Sequence, residues 1–304
     1  MAVDVLVIGG ANTDFLVKGS KLPTVGETVE GDTYYSGPGG KGANQAVAAA
    51  RLGAKVAFVG RVGADTRGAE LVSALAAEGI DVSHVLHDPL GVTGAALVMV
   101  EGRGQKQIHT APGANLLVTV RDVVAAADLF AEAKVVLLQL EVPQAAVETA
   151  VRLANAAGAR VVLDPAPPRE LPDSLLRGVH VIRPNVAEAR ALTGVEVHDR
   201  ASAAKAGHQL RERGAKFAVV GAPGGNLLVG PNLERWFAEL EIEPVDATGA
   251  GDAMAGALAA ELAAGHGLEA ACEVATAAAA FKTMRLGAQP GLPHRAELEV
   301  FRTR

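Results

Sequence analysis

The chain has 304 residues, of which 49% are hydrophobic and 20% charged, so it can bury a sizeable core and is too apolar for wholesale disorder. Its 28 Lys and Arg against 34 Asp and Glu leave a formal net charge of −6, which argues against general affinity for nucleic acid or anionic membranes. Only 3% of residues are aromatic and Cys272 is the one cysteine, which excludes a base-stacking platform, an intramolecular disulfide and a Cys-based zinc cage.

Length allows about two domains at ~150 residues each, or one large α/β domain. In chain order, a strand is expected at Val3–Gly9, followed by a polar, Gly- and Pro-punctuated stretch at 14–37 with short strands Thr28–Glu30 and Thr33–Ser36. Helix Ala43–Leu52, strand Lys55–Gly60 and helix Gly68–Glu78 come next, then a hairpin region at 92–112. That region pairs Val92–Glu101, with its strand at Ala95–Val100, against Lys106–Thr110 and turns at Gly102-Arg103-Gly104. Helix Arg121–Ala131, strand Lys134–Leu140, helix Gln144–Ala157 and strands Arg160–Leu163 and Val179–Arg183 continue the alternation. Helices Ala187–Thr193 and Arg200–Arg213, strand Phe217–Gly221 and helices Gly251–Ala264 and Leu268–Arg285 complete it. Several strands are apolar at consecutive positions, as strands buried on both faces are. Gly53, Gly79, Gly158, Gly194 and Gly214 each sit just past a helix, where a left-handed residue ends it. The rhythm predicts one doubly wound, mostly parallel, Rossmann-like sheet flanked by helices over 1–304. The two irregular stretches, about 14–37 and 92–112, are expected to pair into a small discontinuous β-sheet lid. The N-terminus has no basic region and no run of ~20 apolar residues lacks charges, so neither a signal peptide nor a membrane span is expected. The expected compartment is the cytoplasm.

Five groups of residues carry candidate chemistry. Gly37-Pro38-Gly39-Gly40-Lys41-Gly42 matches G-x-G-x-x-G before a helix, with Asp65 downstream. A dinucleotide fingerprint would instead close the first strand, where Gly9-Gly10 lie, and the P-loop pattern fails because Gly42 follows Lys41. The remaining readings are a flexible loop, or a loop whose backbone, Lys41 and Asn44 approach a small polar ligand. Asp246-Ala247-Thr248-Gly249-Ala250-Gly251-Asp252 runs straight into a helix, whose N-terminus carries a partial positive charge and attracts anions. Asp252 beside such an anion hole is placed to accept a hydroxyl proton, unless it only decorates the first helical turn. Asn185 with Glu188 reads either as a capping box or as oxygen ligands acting on Mg²⁺ or phosphate-bound water. Glu141, otherwise a plain strand-end charge, and Asn12 with Asp14, otherwise a turn, follow strands at the carboxyl edge where open α/β sheets bind ligands. The eight histidines show no metal-ligand spacing.

Together these residues resemble the ribokinase family, the PfkB-type carbohydrate kinases, over nearly the whole chain. Gly39-Gly40-Lys41-Gly42-Ala43-Asn44-Gln45-Ala46 is similar to the N-terminal family signature, and Asp246–Asp252 to the C-terminal D-T-x-G-A-G-D signature, with Ala247 where Thr is usual. Asn185–Glu188 is similar to the N-x-x-E motif between them. The resemblance implies transfer of the ATP γ-phosphoryl group to the 5-hydroxyl of ribose. It implies sugar contacts from Asn12, Asp14, Gly40, Lys41, Gly42, Ala43, Asn44 and Glu141, with Asp252 as the base. The N–H groups of Gly249, Ala250, Gly251 and Asp252 would form the anion hole. Asn185, Glu188, Gly221, Gly224 and Gly225 would face the nucleotide and its Mg²⁺. A K⁺ site would be built from Asp246, Thr248, Lys282, Arg285, Gly287 and Gly291, mostly through backbone carbonyls. The lid would form a homodimer interface. Two departures stand out: Gly221-Ala222-Pro223-Gly224-Gly225-Asn226 replaces the usual T-x-G-x-x-G, and Thr276 stands where a His near the adenine is common. Other readings are a sister kinase of a nucleoside, fructose or a keto-deoxy sugar acid, a non-catalytic sugar- or nucleotide-binding protein, and a dehydrogenase resting on Gly37–Gly42 alone. Scarce lid aromatics speak against a nucleoside, and the acids Asp14 and Glu141 against an anionic sugar.

Overall fold

A computed structural model of the chain describes residues 3–102 and 105–303, and only the backbone of Lys106. In chain order its strands are β1 (Val5–Ile8), β2 (Asn12–Gly19), β3 (Gly31–Gly39), β4 (Val56–Gly63), β5 (Asp81–Asp88), β6 (Gly94–Glu101) and β7 (Lys106–Ala111). They continue with β8 (Val135–Leu138), β9 (Arg160–Leu163), β10 (Val181–Ile182), β11 (Phe217–Ala222), β12 (Gly225–Gly230) and β13 (Leu233–Ala238). A nine-stranded sheet runs β13-β12-β11-β10-β9-β8-β1-β4-β5, and a separate four-stranded sheet runs β3-β2-β6-β7. Within the large sheet every pairing from β5 to β11 is parallel, and β12 and β13 add an antiparallel edge.

The consecutive apolar residues of the parallel strands have the expected cause. Val5 and Val7 enter one core with Phe58, Leu137 and the helices Lys41–Arg51, Ala250–Ala263 and Leu268–Thr283. Leu6 and Ile8 enter a second core on the opposite face with Leu138, Leu163 and the helix Gln144–Ala157. Side chains of one strand alternate between faces, so helices on both faces demand apolar residues at every position.

The strand order places the site. The parallel strands are added outward in opposite directions from β1, which has β4 on one side and β8 on the other. That is a topological switch point, and the crevice beyond the carboxyl ends of β1 and β8 is where such sheets bind ligands. β2 begins only a short step past β1, so Asn12 and Asp14 hang directly over this crevice. The helices Lys41–Arg51 and Ala250–Ala263 pack together beside it. A Cβ on Gly256 would lie 2.6 Å from Gln45 O and 2.5 Å from Ala48 Cβ, so only glycine lets the two helices approach this closely.

The sequence reading has no strand at β5 or β12, and of β13 only a strand-like site at Trp236 and Phe237. β5, with its polar residues at an exposed edge, and the short β12–β13 extension both lack the long apolar runs of the interior strands. Thr28–Glu30 is not a strand, and the expected helix Arg121–Ala131 is two short helices, Val120–Ala125 and Ala127–Glu132. Gly37, Pro38 and Gly39 are not loop: they end β3, paired to Asp14, Thr13 and Asn12. β3 is an edge strand, where proline's missing N–H costs no ladder bond. Arg103 and Gly104 of the expected turn lie outside the described residues.

Candidate active site

A cavity of about 410 Å³ opens at the switch point. The large sheet and its helices line it with Gly40, Lys41, Asn44, Glu141, Glu188, Thr248, Gly249 and Asp252. The small sheet contributes Asn12, Asp14, Ala96, Val98, Ile108 and Thr110, and the turn Ala166-Pro167-Pro168 completes the wall. Two expected residues are placed differently. Gly42 and Ala43 are buried in the first helical turn and do not line the cavity. A Cβ on Gly42 would lie 2.8 Å from backbone atoms of Gly9 and Gly10, so this glycine serves the contact between the helix and the turn just past β1.

Asp252 sits in the first turn of the helix Ala250–Ala263, is buried, and is held from two sides. Asn44 Nδ2 donates to its Oδ2 at 2.9 Å and Gln45 Nε2 to its Oδ1 at 3.0 Å. The N-cap is Gly249 at φ 81°, a left-handed conformation that glycine adopts without strain, and no side chain caps the N-terminus. Its positive end therefore faces the cavity beside the carboxylate. Gln45 also donates to Asp164 Oδ2 at 2.6 Å and accepts from Gln139 Nε2 at 2.6 Å. Arg183 Nη1 bridges Asp164 (3.1 Å) and Gly251 O (3.3 Å). Gln45, Asp164 and Arg183 were missed by the sequence reading. Their signal was available: Asp164 and Arg183 directly follow β9 and β10, at the same carboxyl edge as Glu141.

The residues expected to face a sugar form a dense acidic group. Lys41 N donates to Glu141 Oε2 at 2.8 Å. Asn12 Oδ1 accepts from Asn115 Nδ2 at 2.7 Å, which fixes its rotamer. Burial, with Glu141 and Asp252 nearby, pushes the Asp14 carboxyl up to about 7. Burial likewise raises Glu141 to about 7 against the opposing pull of Lys41. Burial works against the Lys41 ammonium, but Asp252, Asp164 and Glu141 outweigh it and hold its pKa above the ordinary range.

A second cavity of about 570 Å³ lies on the other side of the Asp246–Asp252 turn. Ala247, Ala250, Thr276, Ala279, Ala280 and Thr283 line one wall, and Asn226 with the stretch from Glu239 to Pro244 lines the other. The turn thus separates a smaller cavity, lined by the charged Asp14, Lys41, Glu141, Glu188 and Asp252, from a larger one with fewer charged side chains.

The pfkB family carbohydrate kinase profile matches residues 3–295. This chain belongs to the pfkB carbohydrate kinase family. It is 36% identical over 296 residues to the ribokinase of Haemophilus influenzae, with 97% of each chain covered. It is 35% identical over 305 residues to the ribokinase of Mus musculus, covering 98% of this chain and 94% of the mouse protein. The solved structure of Arabidopsis thaliana ribokinase complexed with ribose and ATP matches it with a TM-score of 0.88 at 30% identity, over 99% of each chain.

In this pfkB kinase the N-x-x-E pair is a complete capping box. Glu188 N donates to Asn185 Oδ1 (2.9 Å), and Asn185 N to Glu188 Oε2 (2.8 Å). The structural and functional readings of the motif coexist, because the capped Glu188 still lines the cavity. Among the described residues no group of three His, Cys, Asp or Glu is placed to hold a metal alone. Glu188 nonetheless fits Mg²⁺: it offers hard oxygens, and burial with the neighbouring Asp164 raises its carboxyl, a strain a cation relieves. Mg²⁺ takes few protein ligands when phosphates and waters supply the rest.

Two expectations need correction. Gly224 and Gly225 line neither cavity. Pro223-Gly224 joins β11 to β12 as a tight turn, with Gly224 at φ 81° as a type II turn requires, and a Cβ on Gly225 would meet Trp236. Gly221 lies against Pro184 and Asn185, and the hairpin sends Asn226 into the second cavity. The second correction is the K⁺ site, where the residues do not fit the ion. Lys282 is fully buried, and its Nζ donates to Asp246 O at 2.8 Å and to Arg285 O at 2.9 Å. Two carbonyls expected to hold the cation already hold an ammonium.

The raised Glu141 carboxyl gives a stability prediction. Such a group binds its proton more tightly in the folded state, so its contribution is fully present below its unfolded value, roughly 4.3, and is lost as pH rises toward about 7. Glu141→Gln keeps an acceptor for Lys41 N and removes the charge. The ligand-free variant is expected to melt about 2–5 °C above the wild type at pH 8, with no gain at about pH 4. Melting curves across that range check it.

Proposed function

We propose that the chain is an ATP-dependent ribokinase, which phosphorylates the 5-hydroxyl of D-ribose. The observation that carries this reading is the position of Asp252. Its carboxylate lies on the wall of a small cavity lined by several charged side chains, in the first turn of a helix with no side-chain cap, whose preceding turn borders a second cavity. In this reading the sugar occupies the first cavity and the nucleoside the second, with the transferred phosphoryl group at the turn between them. Among the described residues no aromatic lines the first cavity, which favours a small sugar over a nucleoside base.

Asn12, Asp14, Lys41, Asn44 and Glu141 bind the sugar hydroxyls and turn the 5-hydroxyl toward Asp252. Asp252 takes the hydroxyl proton as the oxygen attacks the γ-phosphorus, and the bond from that phosphorus to the ADP oxygen breaks. Positive potential from the helix N-terminus and Lys41 offsets the charge on the transferring group. Glu188 would hold Mg²⁺, which would neutralise phosphate charge and orient the nucleotide, with Asn185 near the ATP phosphates. The small sheet acts as a lid: its inner face carries Asp14, Ala96, Val98 and Thr110 into the cavity. Its outer face carries the exposed Val17, Tyr34 and Leu97, which we assign to a homodimer with a second copy of the chain.

A coupled ADP-release assay over ribose, deoxyribose, fructose and nucleosides tests the reading. Ribose is expected to give the highest kcat/KM. Preference for another acceptor would redirect the substrate, and no turnover on any of them would favour a binding protein.

A further inference from the structure

Lys282 is an unexpected residue to bury. It lies in the last turn of the helix Leu268–Thr283 and is 0% exposed. Removing an ammonium from water costs several kcal/mol unless polar partners replace its hydration. Here they do: beyond the carbonyls of Asp246 and Arg285, the Asp246 carboxylate Oδ2 lies 3.7 Å from Nζ. That carboxylate is itself fixed by the N–H groups of Thr248 (2.8 Å) and Gly287 (2.9 Å). The arrangement is made for the lysine stem. A Cβ on Gly291 would lie 2.8 Å from Lys282 Cε, so any side chain there collides with it. The Arg285 side chain plays no part, since its guanidinium pairs with Glu297 at 2.8 Å and lies over the Phe281 ring.

The ammonium joins two loops. Asp246 and Thr248 lead directly into Gly249, the N-cap of the catalytic helix, while Arg285 and Gly287 belong to the segment packed against that turn. A cation in this ring of oxygens fixes the turn that carries the anion hole. We infer that Lys282 is a built-in substitute for a bound monovalent cation, so that phosphoryl transfer by this chain needs no potassium. The inference rests on the kinase reading for its effect on turnover, but not for its effect on ion binding.

The test therefore has two readouts. Wild-type protein is assayed in tetramethylammonium buffer, with and without about 100 mM potassium at matched ionic strength. The expected change in turnover is under about twofold, and thallium(I), used as a potassium surrogate and followed by ²⁰⁵Tl NMR, shows no saturable binding. In Lys282→Ala the cage is open: turnover drops about tenfold without potassium and recovers with it, and thallium binds. Activation of the wild type by about tenfold or more, or saturable thallium binding to it, would overturn the inference. If the variant does not fold, the wild-type arms still decide. If no acceptor is phosphorylated in either buffer, the kinase reading fails and the thallium measurement alone judges Lys282.

Discussion

Asp252→Asn is expected to bind ribose almost normally and to lose at least ~100-fold in kcat. The substitution keeps the shape of the side chain and an oxygen that accepts from Asn44 or Gln45. It removes the one property the step requires, a carboxylate that takes a proton. General bases contribute about 10²–10⁴-fold, or roughly 3–5 kcal/mol of barrier. The helix N-terminus, Lys41 and the bound sugar's orientation are untouched, so some residual transfer remains. Calorimetric ribose binding and steady-state kinetics together separate the two effects. A variant with near-normal kcat would remove Asp252 from the role of base.

Asp14→Ala is expected to act on the other constant. Asp14 stands at the start of the small sheet, over the cavity and across from Glu141 and Asp252. Lys41 already offsets part of the cost of holding three carboxyls in one pocket, and in the proposed reading sugar hydroxyls offset more. Removing Asp14 leaves hydroxyls of the bound sugar without a partner, at about 1–3 kcal/mol. The sugar KM is therefore expected to rise roughly 10–100-fold, with a smaller change in kcat. An unchanged KM would show that Asp14 does not touch the sugar.

The sequence made the main architecture legible because its signal was strong where burial was complete. β9 lies at the expected residues, Arg160–Leu163, because a strand covered on both faces has no freedom to be polar. β5 was missed for the converse reason, since an edge strand such as Asp81–Asp88 answers to fewer neighbours. Gly37–Gly39 misled because weak β-propensity was overridden by pairing with β2. In the site, Asn12, Asp14, Lys41, Asn44, Glu141, Glu188 and Asp252 were legible one by one, whereas Ala96, Val98, Ile108, Thr110 and the turn Ala166-Pro167-Pro168 carried no signal of their own. The network that aims Asp252 was less legible, because Gln45, Asp164 and Arg183 come from three distant segments and acquire meaning only when the sheet sets them side by side. The same holds for Lys282. In the sequence it is one more helix-terminal lysine, and only the fold shows two carbonyls around its ammonium.

The most direct measurement of the central claim is the position of the new phosphate. Ribose and ATP are incubated with the enzyme, and the product is examined by proton–phosphorus correlation NMR. Phosphorus coupled to the two protons on carbon 5 of ribose is the predicted result. Coupling to the proton on carbon 1, or ATP consumption without a phosphorylated sugar, would contradict the account.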